Sequence, residues 1–223
     1  MSRSSSSMAT VLVVLMVVSA GGLSPPCAAA AKEEKPVVVL PPAAAPGEAP
    51  SADAAAFVRS CCDTALQADR DGSSFCYDHL LPYAAFFEGN QVKVAEVAAT
   101  ILSTNLWVYV DQLRKVQGGA GKGDPNLNAC VDDFSVAAGE NITREALQSL
   151  GRLAAAGMAS AARRIWRMRK WIKGVEKPYN GGIGKASGCE IGYLFTYSDD
   201  LPAQKTLGYT FDTASSLINH IKL

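Results

Sequence analysis

The sequence predicts an all-α fold, an up-down-up-down four-helix bundle preceded by an N-terminal helical hairpin and stapled by disulfides. Three observations predict it. From Ala54 onward the chain is rich in Ala, Leu, Glu and Arg, with few β-branched alternations that would mark strands. Its apolar residues recur at spacings of three and four. Six cysteines follow what reads as a secretory leader, and no Cys-x-x-Cys or His pair offers zinc-ligand spacing, so disulfides are expected rather than metal.

The leader is residues 1–20, a basic tip at Arg3 and an apolar run from Met8 to Val18 that ends in Val18-Ser19-Ala20. That run is short of the roughly 20 apolar residues a membrane helix needs. A retained signal anchor is the other reading. Cleavage could fall as late as residue 31, and Cys27 stays in the mature chain only if the earlier site is used. Residues 21–52, rich in Ala and Pro, read as an extended, mobile linker. The folded domain spans 53–223, with the hairpin over 53–88 and the bundle over 89–223.

Asp53 is expected to cap a first helix through Leu66, and an Asp-Arg-Asp-Gly turn at 69–72 separates it from a second helix carrying Phe75 to Leu80. Ala98, Leu102, Leu106, Tyr109, Leu113 and Val116 form the stripe of a long amphipathic helix that Gly118-Gly119 terminates. Asp124-Pro125 then starts another, with Leu127, Cys130, Phe134, Ala138, Ile142, Ala146, Leu150 and Leu153 as one continuous stripe. A basic helical segment follows from Gly157 to Gly174. A loop with Gly181, Gly182 and Gly184 leads to a helix around Cys189 to Phe195, and a last helix spans about Ala203 to Ile221. Antiparallel helices with short loops bury such stripes most simply as an up-down bundle.

The 21 acids and 21 bases cancel, so charge demands neither nucleic acid nor, after leader cleavage, a membrane as partner. Nothing calls for a cofactor. Catalysis has little support, because a hydrolase needs a convergent nucleophile, base and orienting group, and the two histidines, His79 and His220, offer none. Gly118 to Asp124 (GGAGKGD) fails as a phosphate loop, lacking the first Gly and the Ser or Thr. Asp132 and Asp133 are expected to face solvent. Asn141-Ile142-Thr143 is a glycosylation sequon that can equally be an unmodified helix position.

Cys61-x-x-Thr64, Phe75-Cys76 followed by Leu80, Cys130 with Phe134 four residues on, and Cys189 with Tyr193 four residues on resemble the plant invertase and pectin methylesterase inhibitor family over about residues 54–223. The resemblance implies a non-catalytic secreted inhibitor, extracellular in the apoplast or cell wall, that occludes pectin methylesterase or acid invertase. It also implies the bonds Cys61–Cys76 and Cys130–Cys189, with Cys62–Cys76 as the alternative to the first. The chain departs from the family in a longer hairpin turn, in the extra Cys62, and in the Gly157–Gly174 segment, where the family has little more than a turn.

Between Arg152 and Lys177, eight cations stand against the single acid Glu176, a net +7. With Trp166 and Trp171 among them, Arg163, Arg164, Arg167 and Lys170 read as a basic aromatic surface for an acidic polymer such as de-esterified pectin, or for an acidic face of the target. The other reading is a solvated helix whose tryptophans pack on the bundle. Lys177-Pro178-Tyr179 is similar to the Pro-Lys-Phe loop of invertase inhibitors, with the first two residues reversed. The resemblance implies a charge and an anchor for a carboxylate-lined cleft, against the reading of an ordinary interhelical turn. Gly188-Cys189-Glu190 also resembles the invertase-inhibitor side. The rival function is a pectin-binding wall or defence protein that uses the basic segment and inhibits nothing.

Overall fold

The computed structural model describes residues 40–43, 49–67, 69–153, 158–179 and 195–221. Among these every regular element is helical: α1 (Ala52–Ala65), α2 (Arg70–Leu80), α3 (Ala84–Phe87), α4 (Gln91–Gly118), α5 (Pro125–Ala138), α6 (Glu140–Leu153), α7 (Met158–Tyr179) and α8 (Ala203–His220), with 3-10 turns at Leu81–Tyr83 and Phe195–Asp200. The leader, most of the linker, and the expected helix around Cys189 lie outside the described residues. Leu40 packs against the core, so that part of the predicted linker is seated on the domain.

Helices α1 and α2 form the hairpin. Ser51, not Asp53, caps α1, its Oγ accepting from the Ala54 N–H at 3.2 Å. Asp53 falls in the first turn, where its charge meets the positive helix end. Helix α2 begins at Arg70, so most of the predicted turn is already helical. The staple is Cys62–Cys76, not the Cys61–Cys76 bond implied by the family resemblance. Adjacent helical residues project about 100° apart, so only one of the two can meet α2. The Cα of Cys62 stands 5.8 Å from that of Cys76, a separation a disulfide spans. Cys61 remains a buried thiol whose pKa burial pushes up. Across the hairpin the Arg59 guanidinium sits 3.5 Å over the Tyr77 ring, and Phe75 stacks on Tyr209 of α8 at 5.0 Å.

Helix α4 is the axis. Asn90 caps it by accepting from the Val92 N–H at 2.9 Å, and its 28 residues span about 42 Å at 1.5 Å each. All six residues of the predicted stripe are buried. Ala95, Ala99 and Ser103 are buried too, small enough to let neighbours approach from other sides. Helix α8 packs along α4, and α5 and α6 pack on it as well. Tyr109 meets Phe134 of α5 edge to face at 5.0 Å.

The stripe predicted as one helix from Asp124 to Leu153 is two. Gly139 takes φ −47° and ψ 133°, an extended ψ that breaks the ladder, yet the chain runs on along α4: Gln117 and Arg114 bond Asn128 and Ser135 of α5, and Glu96 lies against Gly151 of α6. Thr143 bridges the break, its buried hydroxyl donating to the Ala138 carbonyl at 3.3 Å. Helix α7 likewise overruns its expected end at Gly174 and continues to Tyr179, because Val175 and Pro178 are buried and keep the last turns seated. Ile165, Met168, Ile172 and Val175 form its buried row.

A polar latch joins distant segments. Asp124 caps α5 as predicted, Oδ1 accepting from the Asn126 and Leu127 N–H groups at 2.9 and 3.3 Å. Its Oδ2 accepts from the Tyr197 hydroxyl at 3.0 Å. That bond raises the tyrosine's pKa. Gly121 lies under this contact, where a Cβ would run into Leu127 and lie 3.4 Å from the Tyr197 oxygen. Nearby, Gln112 of α4 accepts from the Ala203 N–H at 3.0 Å and satisfies the start of α8.

Two outcomes follow. Cys76→Ser should lower unfolding free energy by about 3 kcal/mol, the chain-entropy value for a loop near 15 residues, whereas Cys61→Ala should cost about 1 kcal/mol or less and leave the Cys62–Cys76 peptide in non-reducing maps. Asp124→Ala should cost about 1 to 2 kcal/mol in urea unfolding as a lost cap, with Tyr197→Phe costing less because the cap on α5 stays in place.

Candidate functional site

Helix α7 sorts its charged and aromatic residues by face. Arg163, Arg167, Lys170, Gly174 and Lys177 follow at alternating steps of four and three, which places them on one ridge. From Arg163 to Lys177 that ridge is about 21 Å long. The four cations are exposed. Arg164 is not on the ridge: it is half-buried, with an Nε that lacks a hydrogen-bond partner. Arg169 reaches the other way and donates to the Asn219 carbonyl at 3.3 Å, tying α7 to α8.

Beside the ridge runs a groove of about 470 Å³ between α7 and a wall made by α5 and α6. Helix α7 lines it with Trp166, Arg167, Lys170, Trp171, Gly174, Lys177 and Pro178; the facing wall gives Asp133, Val136 and Ala137 from α5 and Glu145 and Ala146 from α6. The two predicted tryptophans divide. Trp166 is 62 % exposed, with Lys170 Nζ 5.5 Å over its ring, while Trp171 is buried at 3 %. One tryptophan thus packs on the core, and the other stands in solvent among cations. Val136 across the groove is 66 % exposed.

The charges of the groove are segregated, cations on the α7 side and the carboxylates Asp133 and Glu145 opposite. Asp132 is exposed as expected, but Asp133 is half-buried, and its Oδ2 is buried without a hydrogen-bond partner. The indole Nε1 of Trp171 is likewise buried and unpartnered. Asp133, Val136 and Glu145 carry no motif, and their place in the groove is visible only once α7 is packed against α5 and α6.

Lys177-Pro178-Tyr179 is not a projecting loop. The three residues form the last turn of α7, with Lys177 exposed at the end of the ridge and Pro178 buried. Proline at 178 has no N–H to donate to the Gly174 carbonyl four residues back. The side chains of Tyr179 and Asn141 lie outside the described residues, while the sequon's Thr143 is buried and hydrogen-bonded. Cys130 is disulfide-bonded; Cys189 lies outside the described residues. His79 stacks on Phe75 at 3.7 Å and His220 sits 2.8 Å from the Ser216 carbonyl, on different helices. Among the described residues no helix is long and apolar enough to cross a membrane, and no group of three His, Cys, Asp or Glu is placed to hold a metal.

An uncharacterised protein of Oryza sativa subsp. japonica is 94% identical to this chain over 180 residues, which is 80% of this chain and 80% of the relative. The chain belongs to the same family as that rice protein. No protein-family model matches the sequence, and no solved structure matches it.

The exposure of Trp166 has a direct optical consequence. Trp107 and Trp171 are buried at 5 % and 3 %, so iodide should quench chiefly Trp166 emission, and Trp166→Phe should remove most of the quenchable signal without changing the far-ultraviolet spectrum.

Proposed function

We propose that the chain is a secreted proteinaceous inhibitor of a plant cell-wall carbohydrate enzyme, pectin methylesterase or acid invertase, acting in the apoplast by binding and covering its target without catalysis. The observation that carries the reading is Trp166, an indole standing in solvent across the groove from Val136 and flanked along α7 by Arg163, Arg167 and Lys170. Tryptophan and arginine dominate the few residues that supply most binding energy at protein interfaces. A row of cations also steers association with a carboxylate-lined cleft.

The stapled hairpin of α1 and α2, followed by helices packed on α4, supports the family resemblance. In this reading α4, α5–α6, α7 and α8 are the arms of the four-helix bundle, and Cys130–Cys189 is its internal staple. The contact surface lies on the α7 ridge, with Lys177 at one end, rather than on a loop.

The test is residual activity of a panel of plant pectin methylesterases and acid invertases incubated with the purified protein. At least one should be inhibited, and Trp166→Ala should weaken inhibition roughly 30-fold, the equivalent of about 2 kcal/mol. Lys177→Ala should weaken it by a comparable factor if its charge enters an invertase cleft, and by less than about threefold against a pectin methylesterase. A wild-type protein that leaves every enzyme of both classes fully active would end the proposal.

A further inference from the structure

We infer that the groove between α7 and the α5–α6 wall is a binding site for an acidic oligosaccharide, a short chain of uronic-acid sugars. At about 470 Å³ it has the size of a small-ligand site, and it combines apolar and aromatic lining with a few placed polar groups. Four features select the ligand. Trp166 offers a flat exposed indole on which the apolar face of a sugar ring can lie. Arg167 and Lys170 on the same side pair with a carboxylate, the arginine through a two-point contact.

The third feature is the pair of buried polar atoms left without partners, the acceptor Asp133 Oδ2 and the donor Trp171 Nε1. A buried polar atom without a partner is destabilising. A hydroxyl both donates and accepts, so one ligand group type can serve both atoms. Asp133 lines the groove and is half-buried, so its carboxylate can accept from a ligand hydroxyl there. The fourth is the segregation of charge. A carboxylate at one edge of the ligand and uncharged hydroxyls at the other match cations on α7 and acids opposite, whereas a ligand anionic on all sides is repelled by Asp133. The cationic ridge runs about 21 Å and passes beyond the groove to Arg163, a length that fits a carboxylate repeated along a chain and not a single small zwitterion.

The experiment is titration of the full chain, followed by tryptophan emission and calorimetry, with a tetramer of galacturonic acid, its methyl ester, polyglutamate and free glutamine as probes. The tetramer should bind saturably and shift the Trp166 emission, with the ester at least about tenfold weaker because its charge is gone. Trp166→Ala should weaken the tetramer about tenfold or more while leaving polyglutamate binding unchanged. Asp133→Ala gives the sharper result. Removing a negative charge must strengthen any purely electrostatic attraction to an anion, yet it should weaken the tetramer. The inference is overturned if the tetramer does not saturate, if Asp133→Ala binds it more tightly, if Trp166→Ala binds it like the wild type, or if glutamine is the preferred probe. Both positions are surface-facing in part, and unchanged far-ultraviolet spectra exclude misfolding as the cause. No enzyme enters the measurement, so the inhibitor reading and this one fail separately.

Discussion

Between Val94 and Val116 helix α4 has little surface that can face water. Leu102, Leu106, Val110 and Leu113 are buried, and so are Ala95, Ala98, Ala99 and Ser103, which on an ordinary amphipathic helix would include part of the wet side. A helix apolar on most of its circumference is stable only if other helices surround it. That requirement organises the chain: α8 lies along one side, α5 and α6 along others, and the disulfide hairpin closes one end through the stack of Phe75 on Tyr209. The small residues set how closely these neighbours sit, and Gly151 repeats the device on α6, where a Cβ would approach Glu96 to 2.9 Å. Burial of that glutamate raises its pKa, only partly offset by Lys93.

How much of this was legible from the chain depends on whether the signal is local. The α4 stripe, the Asp124-Pro125 start of α5 and the span of α8 were readable because periodicity and capping chemistry act within a few residues. Cys61 against Cys62 was not, because both lie in the buried arc of α1 and the choice depends on where α2 sits. Gly139 carries no stronger breaking signal than Gly151 or Gly174, which stay helical; only the packing of α6 distinguishes it. Lys177-Pro178-Tyr179 reads as a loop because proline usually ends a helix, and burial of Val175 and Pro178 outweighs that preference here.

The binding surface follows the same division. Its cations were plain in the sequence, since a run of Arg and Lys with one acid needs no fold to be noticed. The opposite wall was not, because Asp133, Val136 and Glu145 become a wall only when α7 packs against α5 and α6. A basic run by itself describes a surface that attracts any anion. A basic wall facing an acidic one, with an indole between them, describes a surface that discriminates, and the discrimination comes from the half that is silent in the sequence.

The free thiol of Cys61 sits one residue from a disulfide. In the unfolded chain it and Cys62 are near equals as partners for Cys76, and thiolate attack can shuffle the bond between them. Folding ends that equality. Cys61 is buried and its thiol is held protonated, so the nucleophile needed to reopen Cys62–Cys76 is withdrawn. The packing that leaves Cys61 out of the staple thus also shields the staple from its sequence neighbour.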